Sequence, residues 1–95
     1  MPKYSIPRPD AIRLRHMLDA AREALDFAQG ETEHSIGEDR QLALSLVKEI
    51  EIIGEAASKV SEPTRGQLTQ IPWLDIVDMR NHLIHAYFDV DVGVV

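Results

Sequence analysis

Apolar residues recur along this chain at the spacing of an α-helix, and this periodicity limits the possible folds more than any other feature. In the first such segment, over about residues 9–29, they lie at offsets of 3, 4, 7, 11 and 14, which places them on one helical face. They are Leu14, Met17, Leu18, Ala21, Leu25 and Ala28. Pro9 suits a first helical turn and Gly30 suits a C-terminal stop. The segment is predicted to be an amphipathic helix.

A second apolar stripe at helical spacing runs from about residue 38 to residue 60 and predicts a second long helix. Its members are Ala43, Leu46, Val47, Ile50, Ile53, Gly54, Ala57 and Val60. Gly54 lowers helix propensity by about 1 kcal/mol relative to alanine, which indicates either the close approach of another helix or a tolerated glycine. Residues 31–37 are predicted to form a polar loop, with Ser35 as the N-cap of the second helix and Asp39 as the alternative cap.

A third helical segment is predicted from Pro72 to about Ala86, after a loop over residues 61–71. Its apolar residues are Trp73, Ile76, Val77, Leu83, Ile84 and Tyr87. The alternation typical of a strand is not sustained anywhere outside residues 88–95. We therefore expect an all-α fold, an up-down helical bundle that forms a single domain over residues 1–95.

The chain has 95 residues, a formal charge of −6 and no cysteine. This length leaves room for one small domain whose core is marginal alone, so oligomerisation is a natural source of further stability. The lack of cysteine excludes disulfide scaffolds, thiol nucleophiles and cysteine-ligated metal sites. Apolar runs are too short to span a membrane and the N-terminus lacks the apolar core of a signal peptide, so we expect a cytoplasmic protein.

Charge is distributed unevenly along the chain. Residues 1–22 carry five basic and two acidic side chains, a net charge of +3, whereas residues 23–95 carry five basic and fourteen acidic side chains, a net charge of −9. The acidic balance argues against a protein that coats nucleic acid. The basic end indicates either a contact with a polyanion or an ion-paired helix face, and the second interpretation is favoured.

Side chains that can bind phosphate or transfer protons are concentrated in the third helical segment, between Arg80 and Tyr87. Asn81 and His85 share one helical face, whereas Arg80 and His85 are about 140° apart on an ideal helix. One helix therefore does not direct Arg80 and His85 at a single atom. A second subunit that supplies the other group would make a dimer interface the place for a site.

A histidine and an arginine meet the chemical needs of RNA cleavage without a metal ion. His85 would take the proton of a ribose 2′-hydroxyl or give one to the leaving 5′-oxygen. Arg80 would stabilise the charge that builds on the five-coordinate phosphorus. On spacing alone, a surface helix with two scattered histidines is the favoured interpretation.

The motif Arg-x4-His-x-Tyr at residues 80–87, followed by Phe-Asp-Val-Asp at residues 88–91, resembles the signature of the HepT-like toxins. These toxins belong to the HEPN group (higher eukaryotes and prokaryotes nucleotide-binding). Glu-Ile-Ile-Gly-Glu-Ala-Ala at residues 51–57 is similar to a stretch on the second long helix of the family, and Ile-Pro-Trp at residues 71–73 resembles the approach to its motif. The resemblance covers about residues 10–91.

The resemblance implies an α-helical homodimer, the toxin of a type II or type VII-like toxin–antitoxin pair whose partner is a nucleotidyltransferase antitoxin of the MNT type. It implies a metal-independent endoribonuclease that cleaves transfer RNA or messenger RNA without a cofactor. Arg80, Asn81 and His85 match the catalytic positions of the motif. Tyr87 matches the tyrosine that can accept adenylyl groups, whose phosphates would occupy the site for RNA. The family usually continues into a further helix, so we expect a HEPN-type bundle without its C-terminal helix.

The main alternative is a non-catalytic helical module that dimerises and docks the antitoxin, with Tyr87 as a nucleotidylation acceptor. His82 and His85 could begin a zinc site, but the chain has no cysteine and its further candidate ligands are scattered carboxylates, so no metal site is expected. Asp75 and Asp78 are explained better as acids in the first turn of a helix than as magnesium ligands.

Two further predictions concern charged residues of the second helical segment and the tryptophan of the third. Glu55 and Lys59 are expected to form an ordinary i,i+4 ion pair, while Glu51 or Glu55 is an alternative candidate to orient His85. Trp73 is expected in the core or at an interface rather than as a platform for base stacking.

Overall fold

The structure is a computed structural model that describes the backbone of residues 4–94 and the side chains of residues 4–83. Five helices and no strand occur in this part of the chain. They are α1 (Arg8–Ala28), α2 (Glu33–Glu38), α3 (Arg40–Ser58), α4 (Glu62–Gln67) and α5 (Trp73–Val94). The predicted all-α class is confirmed, and the arrangement agrees with a helical bundle of the HEPN type. Over the described residues, no helix combines the length and the apolar character that crossing a bilayer requires.

Helix α3 is central, because both α1 and α5 pack against it. The three long helices correspond to the three periodic segments of the sequence. The third one is longer than predicted, since it continues past Ala86 to Val94. No proline follows Pro72, and Gly93 is the first glycine after the predicted end, so nothing in the local sequence stops the helix earlier.

The predicted loop over residues 31–37 is wrong in part, because α2 occupies most of it. Ser35 is not an N-cap. It is the third residue of α2, and its hydroxyl accepts a hydrogen bond from the Thr32 N–H at 2.8 Å while the Thr32 hydroxyl accepts one from the Ser35 N–H at 3.0 Å. The alternative cap is confirmed, because the Asp39 carboxylate accepts a hydrogen bond from the Leu42 N–H at 3.0 Å and so begins α3.

The predicted loop over residues 61–71 also contains a short helix, α4. Its start is supported by a residue that is distant in the sequence. Asp10 of α1 is buried and accepts hydrogen bonds from the Ser61 N–H at 2.9 Å and from the hydroxyls of Ser61 and Thr64. These bonds to its charged form lower the pKa of Asp10. The Tyr4 hydroxyl lies 2.8 Å from that of Thr64. A carboxylate of α1 therefore satisfies the backbone N–H of Ser61, the residue that precedes α4, and two hydroxyls beside it.

A small apolar core lies between the three long helices. Its buried members are Met17, Ala56, Ala57, Val60 and Trp73. Trp73 is only 8% exposed, and its indole N–H donates a hydrogen bond to the Leu68 carbonyl oxygen at 3.0 Å. The expectation that Trp73 is a packing residue is confirmed. Its hydrogen bond also fixes the segment that leads into α5, the helix that carries Arg80.

Candidate functional site

Helices α3 and α5 cross at Gly54, and Arg80 of α5 lies directly over this glycine. A Cβ atom built on Gly54 would be 2.3 Å from the Arg80 Cβ and 2.7 Å from its Cγ. Any side chain at this position would separate the two helices, because carbon atoms in contact prefer about 3.5–4.0 Å. The close-approach interpretation of Gly54 is confirmed. The aliphatic stem of Arg80 is thereby held against α3.

The guanidinium of Arg80 is partly buried and only loosely paired. Its side chain is 21% exposed, and Nη1 lies 3.5 Å from the Glu55 Oε2 atom, longer than a good charged hydrogen bond. Arg80 Nε is buried and has no hydrogen-bond partner among the described residues. A guanidinium carries five N–H donors, and the contact with Glu55 is the one described for Arg80, which also lines a groove.

Glu55 is shared between two cations. It contacts Arg80 across the helix crossing, and its Oε1 lies 3.3 Å from Lys59 Nζ one turn further along α3. The predicted Glu55–Lys59 pair is confirmed. The contact between Glu55 and Arg80 was not predicted, although Gly54 beside Glu55 on an apolar face was the signal that another helix passes there.

A groove beside this ion pair runs between α1, α3 and α5, with a volume of about 240 Å³. Its polar lining comes from all three helices. It consists of Arg13 and His16 of α1, Lys48, Glu51 and Glu55 of α3, and Arg80 of α5. Three cationic side chains therefore line one groove in a chain with a net charge of −6, and Arg80 of the motif is one of them. The sequence suggested a basic N-terminal region but did not place it beside Arg80.

The other predicted site residues follow Arg80 along α5. Asn81 is exposed, and its side chain belongs to the described part of the chain. The side chains of His85 and Tyr87 lie outside the described residues, so their contacts stay predictions. The backbone from Arg80 to Tyr87 is helical, which retains the angle of about 140° between Arg80 and His85 that an ideal helix gives.

The candidate metal ligands do not form a cluster among the described residues, where no group of three or more His, Cys, Asp or Glu side chains is placed to hold an ion. Asp75 lies in the first turn of α5, where a negative charge is favourable, and both Asp75 and Asp78 are exposed. His82 is exposed on the same helix.

A buried carboxyl group that the sequence analysis missed lies between α1 and α3. Glu49 is 5% exposed, and burial together with the neighbouring carboxylate of Glu23 raises the pKa of Glu49 to about 7. Glu23 and Glu49 border a second, more open groove with Phe27 and Leu44, both partly exposed. This pair lies away from Arg80, because its groove is on the other side of Lys48 and includes no residue of α5.

Comparison with protein families shows which family the chain belongs to. Residues 17–95 match the model of the HepT-like family, which is described as "Ribonuclease HepT-like". The chain belongs to the HepT-like family. This confirms the resemblance of residues 51–57 and 80–91 and the ribonuclease class to which the family belongs.

Individual relatives agree with this membership. The chain is 32% identical over 89 residues to a protein of Caldanaerobacter subterraneus named "Putative RNase", covering 94% of this HepT-like chain and 77% of the relative. It is 28% identical over 78 residues to a "Putative RNase" of Methanocaldococcus jannaschii, covering 82% and 72%. It is 39% identical over 56 residues to a "Probable ribonuclease HepT" of Thermococcus cleftensis, covering 59% and 51%. No solved structure matches the chain significantly.

Proposed function

We propose that this HepT-like chain is a metal-independent endoribonuclease with Arg80, His85 and Asn81 as its catalytic residues. The observation that carries the proposal is the state of Arg80, which is fixed over Gly54, loosely paired with Glu55 and without a hydrogen-bond partner for its Nε among the described residues, beside a groove. A preorganised cation of this kind suits the transition state of phosphoryl transfer, where negative charge builds on phosphate oxygens. The names of the relatives support the same activity.

The proposed reaction is transfer of the scissile phosphate to the adjacent ribose oxygen. The 2′-oxygen attacks phosphorus as a histidine takes its proton, the bond to the 5′-oxygen breaks, and a proton is given to that leaving oxygen. The products are a 2′,3′-cyclic phosphate and a free 5′-hydroxyl. Arg80 stabilises the five-coordinate phosphorus, and Asn81, on the same helical face as His85, supplies a further hydrogen-bonding group.

A homodimer provides the second set of groups that this chemistry needs. Arg80 and His85 of one helix diverge by about 140°, so a partner copy is proposed to bring its own motif to the same phosphate. Large apolar side chains on α5 are consistent with a partner, since Leu74 is 74% exposed and Met79 is 55% exposed. Two copies of His85 would then act as base and acid at one cleft.

The cellular role we propose is that of a cytoplasmic toxin in a type II or type VII-like toxin–antitoxin pair, acting on transfer RNA or messenger RNA. Its partner would be a nucleotidyltransferase of the MNT type. Tyr87 lies seven residues after Arg80, two turns along α5. Adenylyl groups added to Tyr87 would place phosphates near Arg80 and so block the site for RNA.

The test of catalysis is cleavage of RNA by the purified protein in EDTA, with analysis of the new ends. We expect 2′,3′-cyclic phosphate ends, and loss of cleavage in His85→Ala with an unchanged circular dichroism spectrum. His82→Ala is the matched control, because His82 is an exposed histidine of the same helix. Arg80→Met tests the arginine while keeping the aliphatic stem over Gly54. Cleavage by a clean His85→Ala preparation at the wild-type rate would refute the role of His85.

The alternative function, a docking module without catalysis, predicts a stable complex with the antitoxin and no cleavage by the wild-type protein. Intact mass after incubation with the nucleotidyltransferase and ATP tests the role of Tyr87 in either case. We expect a gain of adenylyl masses in the wild type and none in Tyr87→Phe. A gain that persists in Tyr87→Phe would assign the modification to another residue.

A further inference from the structure

The groove between α1, α3 and α5 has features that the motif at residues 80–87 does not explain. Lys48, Glu51 and Glu55 are spaced by three and four residues, so they follow one face of α3 along the floor of the groove. Arg13 and His16, also three residues apart, come from α1. The cationic lining therefore extends away from the helix crossing and is contributed by residues outside the motif.

The length of this lining exceeds what one phosphate needs. From Lys48 to Glu55 the face of α3 extends for about 10 Å at 1.5 Å per residue. A helical nucleic-acid strand presents one phosphate for about every 3.4 Å of its axis. A strand held at Arg80 can therefore place neighbouring phosphates along the same groove.

The charge of the groove also favours a polyanion. Arg13, Lys48 and Arg80 face two carboxylates, those of Glu51 and Glu55, and Glu55 is already engaged by Arg80 and Lys59. With His16 counted as neutral, the lining is thus net positive by one charge, while the whole chain carries −6. A local excess of cations in an acidic protein attracts anions to this one place, because clefts concentrate the field of their lining charges.

We infer that Arg13 and Lys48 form a second phosphate-binding subsite, which holds the RNA strand beside the scissile phosphate at Arg80. The inference rests on the proposed function for the identity of the polyanion as RNA. Arg13 and Lys48 are binding residues here, and neither is assigned a part in the bond-breaking step. His16 also lines the groove and is a further donor to the strand.

Binding is measured with a fluorescent single-stranded RNA of about twelve nucleotides in which every ribose is 2′-O-methylated. This probe has no free 2′-hydroxyl to attack phosphorus, so its affinity reports binding without cleavage. We expect Arg13→Gln and Lys48→Gln each to weaken binding about tenfold, the lower end of what a hydrogen bond to a charged group contributes. Each should also flatten the slope of log K against log salt concentration by about 0.7, the value for one lost contact with a single strand.

Two further variants make the experiment selective. Arg15→Gln is the matched control, because Arg15 has the same change in charge, lies two residues from Arg13 and is paired with Asp19 on an exposed face of α1. It should retain the wild-type affinity. Glu51→Gln removes a carboxylate from the groove and should tighten binding of the same probe. Equal losses in Arg13→Gln and Arg15→Gln, or no gain in Glu51→Gln, would overturn the subsite.

Failure of this inference is distinguishable from failure of the proposed function. If wild-type protein cleaves ordinary RNA while Arg13→Gln and Lys48→Gln bind and cleave as Arg15→Gln does, the subsite is refuted and the endoribonuclease stands. If wild-type protein does not cleave but the selective pattern of binding is observed, the subsite stands and the proposed catalysis is refuted. Weaker docking of the antitoxin with unchanged RNA affinity would assign the groove to a protein partner and overturn the subsite.

Discussion

Replacing Gly54 with alanine should separate α3 and α5, because the added methyl group has no space at their crossing. The new Cβ would lie 2.3 Å from the Arg80 Cβ, 2.7 Å from its Cγ and 3.4 Å from the Ile76 carbonyl oxygen. Relief of the first contact to an ordinary carbon–carbon distance requires a local displacement of roughly 1 Å or more. Rotation of the Arg80 side chain does not help, since its Cβ is fixed by the backbone of α5.

Two opposing contributions determine the size of the effect on stability. Alanine improves helix propensity by about 1 kcal/mol relative to glycine, whereas overpacking costs about 1–3 kcal/mol. The contact with a backbone-fixed atom places this site at the upper end of that range. We therefore expect Gly54→Ala to lower the free energy of unfolding by about 1–2 kcal/mol. In a domain of this size, that corresponds to a fall in Tm of about 4–16 °C.

The assay is chemical and thermal unfolding followed by circular dichroism, at one protein concentration because a dimer makes Tm depend on concentration. The controls are Gly37→Ala in α2 and Gly66→Ala in α4, where a new Cβ meets nothing within 4 Å. Both should be as stable as the wild type or more stable by up to about 1 kcal/mol. Adding Arg80→Gly to Gly54→Ala removes both contacting atoms and should recover part of the loss. A gain at Gly54 equal to that at Gly66 would refute the close crossing.

Three other predictions concern buried side chains. Asp10→Asn should lower Tm at pH 7. The difference in Tm from the wild type should shrink as the pH falls through the lowered pKa of Asp10, because the hydrogen bonds of Asp10 stabilise the fold only through the charged carboxylate. A difference in Tm that stays constant down to pH 3 would contradict this pH dependence. Burial and Glu23 raise the pKa of Glu49 to about 7, so stability should fall as pH rises from the ordinary glutamate range to that value. Glu49→Gln should remove this dependence and add about 1–2 kcal/mol at pH 8, and unfolding curves that stay parallel across pH 5–8 would exclude it. Trp73→Phe should cost about 1–2 kcal/mol in urea unfolding, since it removes the indole hydrogen bond to the Leu68 carbonyl oxygen and part of a buried ring; an unchanged midpoint would show that the indole hydrogen bond adds nothing to stability.

The three long helices could be predicted because their evidence is local. Apolar spacing, Pro9, Gly30 and Pro72 each act within a few residues of where they stand. The short helix α4 has local start signals, Ser61 as N-cap and Pro63 in its first turn, but the region was predicted to be a loop. The contact of Asp10 with Ser61 joins residues distant in the sequence and could not be predicted. Nothing in the sequence around Asp10 indicates this contact, because an aspartate in the first turn of a helix is already explained by the favourable position of a negative charge there.

Of the candidate site, the sequence predicted the close approach of another helix at Gly54, which is confirmed. Arg80 and Asn81 were singled out because they belong to a contiguous motif, and their catalytic roles stay predictions. The groove was not predicted, because Arg13, Lys48 and Arg80 come together only when α1 and α5 both pack on α3. Glu49 was missed because a glutamate within a helix is normally exposed, and its burial follows from the packing of α1 on α3.

The hydrogen bonds of Asp10 make the stability of one short helix depend on the docking of a distant one. A helix of six residues is far below the length at which an isolated helix persists in water. The stability of α4 therefore depends on the docking of α1, which brings Asp10 to Ser61, 51 residues further along the chain. Residues 68–72 connect α4 to α5, so the same contact supports the segment that leads into the helix carrying Arg80. Any opening that detaches the first turn of α1 would release α4 in the same event.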